Sequence, residues 1–332
     1  RYDGLPVYFA AKANKDIKSC EITGDETNLV ADINFGSLEN ESVELKVAIS
    51  FVSVENAKLN LENETKNLDF DKVREKTLKN WENHLSNIKI ESTDTEIKKI
   101  FYTALYHTMI MPTNFTDLNG EYLGFDKKVH TADGYTYRTD MSLWDTCRNT
   151  HSLYMLIEPD VQNDCLKSLL EMADVGGTLP RWPMGAGYAG SMIGDPANIV
   201  ITESYLKNYR DFDVDSAYEY MKKASDSKLE KAGREYAEAY NEYGYVPNDL
   251  DGVSDAVRHF EDMGVRVIGS PEEAEPGSTV IIRSHGVTRQ VYEQLQEKGV
   301  EIVDATCPFV KRIHTIAAEC RQNNIPLIIA GQ

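Results

Sequence analysis

The chain has 332 residues, 41% of them hydrophobic and 27% charged, and a formal net charge of −19. That length admits two domains of ordinary size, and the apolar content supports packed cores rather than general disorder. The acidic balance argues against a nucleic-acid partner, because phosphate binding needs clustered Lys and Arg, and no run approaches the roughly 20 apolar residues of a membrane helix, so no membrane span is expected.

Arg1 falls inside what reads as strand, with no initiator Met and no secretory leader ahead of it, the pattern of a removed leader or of a start within a domain. Val43, Leu45, Val47, Ile49 and Phe51 then alternate with polar residues, which predicts a half-buried strand, and the first 60 or so residues read as sheet. The period changes next. Val73, Leu78, Trp81 and Leu85 recur at helical spacing, and Thr93 with Glu96 predicts a capping box ahead of Ile97, Ile100, Phe101, Ala104 and Leu105. From there to Tyr243 the reading is helix after helix, with apolar stripes near 143–157, 160–173, 197–209, 214–225 and 230–243.

Five cysteines (Cys20, Cys147, Cys165, Cys307, Cys320) are an odd number without close pairing, which indicates neither a disulfide framework nor a zinc site. Asn40, Asn63 and Asn114 begin Asn-x-Ser/Thr triplets, too common by chance to carry weight without a secretory signal. The aromatics mark a boundary: every Trp, and every Tyr except Tyr292, precedes residue 253. Lys and Arg number 8 and Asp and Glu 11 after that point, so −16 of the −19 belongs to the first part. The junction is placed between Tyr245 and Val257. Beyond it, short apolar runs at Val265–Ile268, Val280–Ile282, Glu301–Val303 and Leu327–Ala330 read as buried strands, with helices near 254–263, 288–298 and 308–323, a parallel α/β unit.

Two clusters carry chemistry. Trp144, Asp145 and Arg148 put an indole beside hydrogen-bonding charges, and Trp182 follows the Gly176–Arg181 block. A hexose offers an apolar face and a hydroxyl rim, which such a set suits; Asp145 and Arg148 forming a solvated couple three residues apart is the plainer reading. Farther on, Cys307 stands at a strand-to-helix turn ahead of Pro308, where a helix dipole favours thiolate, and His285 follows a strand end.

Five ordered blocks (Val47 to Ala57, Phe101 to Thr108, Ser142 to Arg148, Gly176 to Trp182, Met192 to Ala197), extended by Tyr243 to Pro247, resemble glycoside hydrolase family 92. The resemblance implies a calcium-dependent, inverting exo-α-mannosidase built from a β-sandwich and an (α/α)6 barrel, a mannose-containing glycan as partner, and Trp144, Asp145, Arg148 and Trp182 at the sugar. Cys147 stands where that family usually has a ring. Inversion needs a carboxylic acid and a second carboxylate on opposite faces of the bond. If Val253 and Ser254 are the pair that precedes the family's acid, Arg258 occupies the acid's position, Glu261 being a conceivable substitute, and the family's Gly-Asn-Asp-Asp segment does not occur, so no catalytic pair is intact.

Ser284 to Val287 and Asp304 to Val310 resemble the 4-hydroxy-3-methylbut-2-enyl diphosphate reductase (LytB) family of isoprenoid biosynthesis, which implies a diphosphate-binding role for His285 and one of three 4Fe-4S ligands for Cys307. One thiolate cannot hold such a cluster. The expected whole is multidomain: a β-sandwich remnant (1–65), a partial (α/α)6 helical barrel (66–250) with about seven of twelve helices, and a small α/β parallel-sheet unit (253–332). Neither calcium nor the iron-sulfur cluster is expected to bind fully. Open helix faces imply marginal stability and self-association. The mannosidase-like part implies a periplasmic or secreted protein and the reductase-like part a cytoplasmic one, which favours a chimeric join of two reading frames without joint function.

Overall fold

The computed structural model describes residues 4–25, 28–66, 68–229, 231–244, 264–266, 268–282 and 287–306, with Lys311 and Thr315. The chain divides into two compact units, residues 1–246 and 247–332.

The first unit opens with strands β1 (Tyr8–Ala13), β2 (Ser19–Asp25), β3 (Asn28–Asn34) and β4 (Leu45–Ser50). They make two antiparallel pairs, β1 with β4 and β2 with β3. The expected sheet stops at Ser50, because Ser53 caps a helix, α1 (Val54–Glu64), by accepting from the Asn56 N–H at 3.0 Å. Alternation along β4 holds, but its apolar side faces outward. Ala48 packs with Ala10, Ala57 and Leu61 and Ser50 is buried, whereas Leu45, Val47 (55% exposed) and Ile49 are open with their β1 neighbour Phe9. Small residues are what a helix lying close on a two-stranded sheet admits.

A polar node sits beneath α1. Asn60 Nδ2 donates to Ile49 O at 3.0 Å and to Asp117 Oδ1 at 2.7 Å, and its Oδ1 accepts from the Leu118 N–H at 3.0 Å. Asn56 Nδ2 donates to Asp117 Oδ2 and Glu121 Oε2 at 2.9 and 2.8 Å, and Ser50 Oγ donates to Asp117 Oδ2 at 2.6 Å.

Helices α2 (Phe70–Leu85) and α3 (Thr95–Thr108) follow. The cap of α3 is Asp94, not Thr93: its carboxylate accepts from the Glu96 and Ile97 N–H groups at 2.8 and 3.4 Å. Beyond α3 the chain is not helix after helix as the stripes suggest. Four short strands, β5 (Thr113–Asn114), β6 (Glu121–Leu123), β7 (Val129–Thr131) and β8 (Arg138–Thr139), form two small antiparallel pairs. The stripe at 143–157 is two helices, α4 (Leu143–Thr146) and α5 (Thr150–Ile157). After α6 (Pro159–Gly176) come the hairpin β9 (Pro183–Met184) and β10 (Gly187–Tyr188), then α7 (Pro196–Leu206), α8 (Val214–Ser225) and α9 (Ala237–Tyr243), the last starting seven residues later than the stripe at 230–243 implied.

One core runs from Phe115 to Ala224 and is threaded by α6, whose Gln162, Cys165, Leu166, Ser168, Leu169 and Met172 are all buried. Outside it, Phe70, Leu78, Ile97, Ile100, Leu156 and Leu206 are exposed.

In the second unit, β11 (Thr279–Ile282) and β12 (Glu301–Asp304) pair in parallel, and between them in sequence lies α10 (Arg289–Glu297), capped by Thr288. Ile282 and Leu295 are buried, but Ile281 and Val303 are exposed, so these strands are covered on one face rather than two. Val265, Arg266 and Ile268 lie outside any strand. The expected helix at 254–263, the strand at 327–330 and almost all of the helix at 308–323 lie outside the described residues.

Removing the Asn60 amide would strand Asp117 Oδ1 and the Leu118 N–H, each costing about 1–3 kcal/mol when buried without a partner. Asn60→Ala is therefore expected to lower the urea midpoint of unfolding by a corresponding amount, and an unchanged midpoint would show that the node contributes nothing.

Candidate functional site

Residues 142–148 turn once around a short helix, and the four-residue spacing sorts their side chains. Leu143 and Cys147 are buried, and burial raises the Cys147 thiol pKa above its usual range. Trp144 and Arg148 share the next face, where the guanidinium carbon lies 4.4 Å from the indole centroid. Asp145 is exposed, and among the described residues it makes no ion pair with Arg148; stacking on Trp144 takes the place of the charged couple.

Behind this turn lies a buried polar chain. His151 Nδ1 is 2.8 Å from Gln162 Oε1 and its Nε2 3.1 Å from Thr146 Oγ1, while Gln162 Nε2 donates to Ser204 Oγ at 3.0 Å and Ser204 Oγ donates to Val200 O at 2.7 Å. One tautomer satisfies every link: Nδ1–H donates to Gln162 and Nε2 accepts from Thr146. Burial lowers the His151 pKa against the raising effect of Gln162 and Glu203. Nearby, burial pushes the Glu203 carboxyl up, but Lys207 (2.6 Å) and Ser152 (2.8 Å) outweigh it and leave the pKa lowered.

The Gly176–Trp182 block leaves α6 through Gly177 at φ 99°, a left-handed cap open to glycine. Gly176 is pressed by the neighbouring hairpin: a Cβ there would meet the Tyr188 hydroxyl at 2.4 Å, and that hydroxyl donates to Thr178 O at 2.6 Å. Trp182 is half-buried, and its carbonyl accepts from the Ala189 N–H at 3.1 Å, closing β9 and β10. No ring or ion contact among the described residues joins Trp182 to the Trp144–Arg148 pair.

Arg181, only 1% exposed, is the residue that sequence reading missed. Its Nη1 donates to Met192 O at 3.0 Å and pairs with Glu235 at 3.2 Å. Asp195 similarly accepts from Arg234 at 2.9 Å and from Asn198 at 3.2 Å. These two charge pairs tie the 190–195 loop to the segment before α9. Arg181 and Asp195 belong to the Gly176–Trp182 and Met192–Ala197 segments, but their partners lie far along the chain.

Two cavities open elsewhere in this unit. One of about 570 Å³ is lined by residues of α2, α5 and α6, the other, of about 590 Å³, by residues near Lys12, Glu44 and Asn63. Trp144, Asp145, Arg148 and Trp182 line neither.

Calcium takes six to eight oxygen ligands. No group of three or more His, Cys, Asp or Glu able to hold a metal occurs among the described residues, and both Asp117 oxygens and Glu121 Oε2 accept from amide or hydroxyl donors. His285 and Cys307 lie outside the described residues, as do Val253, Ser254, Arg258 and Glu261. Of the described thiols, Cys20 is exposed and Cys147 and Cys165 are buried, with no grouping that would hold a cluster. At the edge of the second motif, Asp304 is held well below the usual carboxylate range by Lys311 at 2.8 Å, and its Oδ1 accepts from the Thr306 N–H at 3.0 Å.

The model of the family described as "Glycosyl hydrolase family 92 catalytic domain" matches residues 56–266, and that of the family "LytB protein" matches residues 229–332. Among solved structures, the chain is similar to a family GH92 alpha-mannosidase from Bacteroides thetaiotaomicron in complex with mannoimidazole, at 32% identity and a TM-score of 0.68 over 73% of this chain and 34% of that one. A family GH92 inverting mannosidase from the same organism gives 26% identity and a TM-score of 0.67 over 74% and 36%. A 4-hydroxy-3-methylbut-2-enyl diphosphate reductase from Caldanaerobacter subterraneus subsp. tengcongensis is 36% identical over 121 residues, 36% of each chain. The chain thus spans about a third of the length of the relatives it matches. No described helix is long and apolar enough to cross a membrane.

Because the His151 pKa is lowered from 6.5, the unfolded chain binds a proton in the window just below 6.5 that the folded chain refuses. The stability involved is complete above that value and is lost as pH falls through the window. Thermal midpoints measured between about pH 7.5 and about pH 5.5 are expected to fall on acidification, and less steeply in His151→Asn; equal slopes would remove His151 as a cause.

Proposed function

The chain belongs to glycoside hydrolase family 92, and from that premise we propose that its first part is the wall of an α-mannoside-binding site which, in this chain alone, binds sugar without hydrolysing it. The observation that carries the reading is the Trp144–Arg148 stack, an indole with a guanidinium laid over one face and the exposed Asp145 carboxylate on the same turn. Trp182, in the loop that follows the Gly177 cap, is the fourth residue assigned to the sugar. Buried His151 and the Arg181–Glu235 pair orient these side chains and transfer no proton to substrate.

In this reading residues 1–65 derive from the family's β-sandwich and 66–250 from part of its (α/α)6 barrel, with calcium required only by the longer proteins. Turnover is absent because inversion needs an acid and a base about 6.5–9.5 Å apart; with Val253 and Ser254 taken as the pair ahead of the acid, Arg258 falls at its position and cannot donate a proton at neutral pH. General acid catalysis is typically worth about 10²- to 10⁴-fold. Hydrolysis of an aryl α-mannoside with calcium present is therefore expected at the buffer rate, while methyl α-mannoside perturbs the Trp144 fluorescence. Chelator-sensitive release of the aryl group would refute the first half, and an unmoved Trp144 the second.

A second reading is favoured by the presence of two family matches, overlapping at residues 229–266, in one chain: a chimeric product in which a glycan-trimming part, implied to be exported, is joined to a piece of a cytoplasmic isoprenoid reductase with no joint function. Under it His285 and Cys307 are relics, one a diphosphate contact and the other a single iron ligand. Sequencing codons 240 to 260 from one uninterrupted DNA molecule is expected to find no continuous frame; a clean read through the junction would establish the join as natural.

A further inference from the structure

The cavity of about 570 Å³ beside α2 is within the roughly 300–1,000 Å³ of small-molecule sites. Its wall holds Trp81, whose ring is fixed by an edge contact to Tyr106, with centroids 4.6 Å apart at 62°. Two charged groups of opposite sign also line it with hydrogen-bonding capacity to spare. Glu158, 13% exposed, has Oε1 engaged by His84 at 2.7 Å and Asn87 at 3.0 Å, whereas its Oε2 makes no hydrogen bond among the described residues. Arg138, 19% exposed, uses Nε on Asp164 at 3.0 Å, and its two terminal nitrogens make none.

The charges on the wall balance: Lys76 and Arg138 against Glu64 and Glu158. A balanced wall gives no net attraction to an anion or a cation. It does offer a strong acceptor, several donors and an indole, partly out of water, where hydrogen bonds to charged groups count most. We propose that this cavity is a second carbohydrate site, for a neutral pyranoside seated on Trp81 with its hydroxyls shared between Glu158 Oε2 and the Arg138 guanidinium. It is separate from the Trp144 turn, none of whose residues line it, and does not depend on that turn binding sugar.

The three tryptophans make the test direct. Labelling the full chain with 5-fluorotryptophan gives three fluorine resonances, assigned through Trp81→Phe, Trp144→Phe and Trp182→Phe. The probes are methyl α-mannopyranoside and methyl β-glucopyranoside, with inorganic phosphate and choline as charged controls. The expected result is a saturable shift of the Trp81 resonance with at least one pyranoside, retained in Trp144→Phe and weakened about tenfold in Glu158→Gln or Arg138→Lys. The native position of the Trp81 resonance reports folding of each variant. A Trp81 resonance unmoved by both pyranosides, moved equally by phosphate or choline, or indifferent to both variants overturns the proposal. A shift confined to the Trp144 resonance overturns it too, while leaving the first sugar site standing.

Discussion

Gln162 sits inside α6 at essentially zero exposure with both ends of its amide engaged, and the packing of the first unit is organised around that burial. An amide in such a place costs about 1–3 kcal/mol if a partner is lost. His151 and Ser204 must therefore stay where they are, which fixes α5 and α7 against α6. The same helix supplies Ser168, whose hydroxyl accepts from the Arg138 N–H at 2.8 Å and donates to Asp164 O at 2.6 Å. Between these polar contacts Cys165, Leu166, Leu169 and Met172 fill the core. The Trp144 turn at one end and the Gly177 turn at the other thus hang from a single buried helix.

What the sequence makes legible follows from period and length. The sequence offers Asp145 and Arg148 as a couple three residues apart, whereas the fold uses the i, i+4 spacing of the same block, burying Leu143 with Cys147 and stacking Arg148 on Trp144. Strands of two or three residues, as at Thr113–Asn114 and Arg138–Thr139, are too short for a two-residue period to register. Asp94 displaces Thr93 as a cap because its carboxylate reaches two N–H groups at once. The burial of Arg181 was invisible because arginine is rarely interior without a partner, and Glu235 is reached only through the folded loop. Alternation identified β4 correctly but not which side faces in, since that depends on the size of what packs there.

Two family models match parts of one polypeptide, and each unit holds its own buried residues: Phe115 to Ala224 in the first, Ala274, Ile282 and Leu295 in the second. The family matches overlap over residues 229–266. Within that overlap, Gly233 N–H donates to Leu179 O at 3.0 Å and Arg234 N–H to Ala224 O at 2.7 Å, so residues 233 and 234 are stitched to the mannosidase-like body by main-chain bonds. Sequence likeness and physical attachment need not change over at the same residue.

The outward apolar row on β4 has a consequence for how its pairing is held. Sliding the strand by one residue would exchange its two sides, turning Val47 and Ile49 toward α1 and removing more hydrocarbon from water than the native alignment does. Greasy contact therefore cannot be what selects the observed alignment. Directional pins do so instead: Asn60 on the Ile49 carbonyl, Ser50 on Asp117, and the Lys46 ammonium on the carbonyls of Thr65 and Leu68. This strand is held in place by polar geometry, against the pull of its own oil.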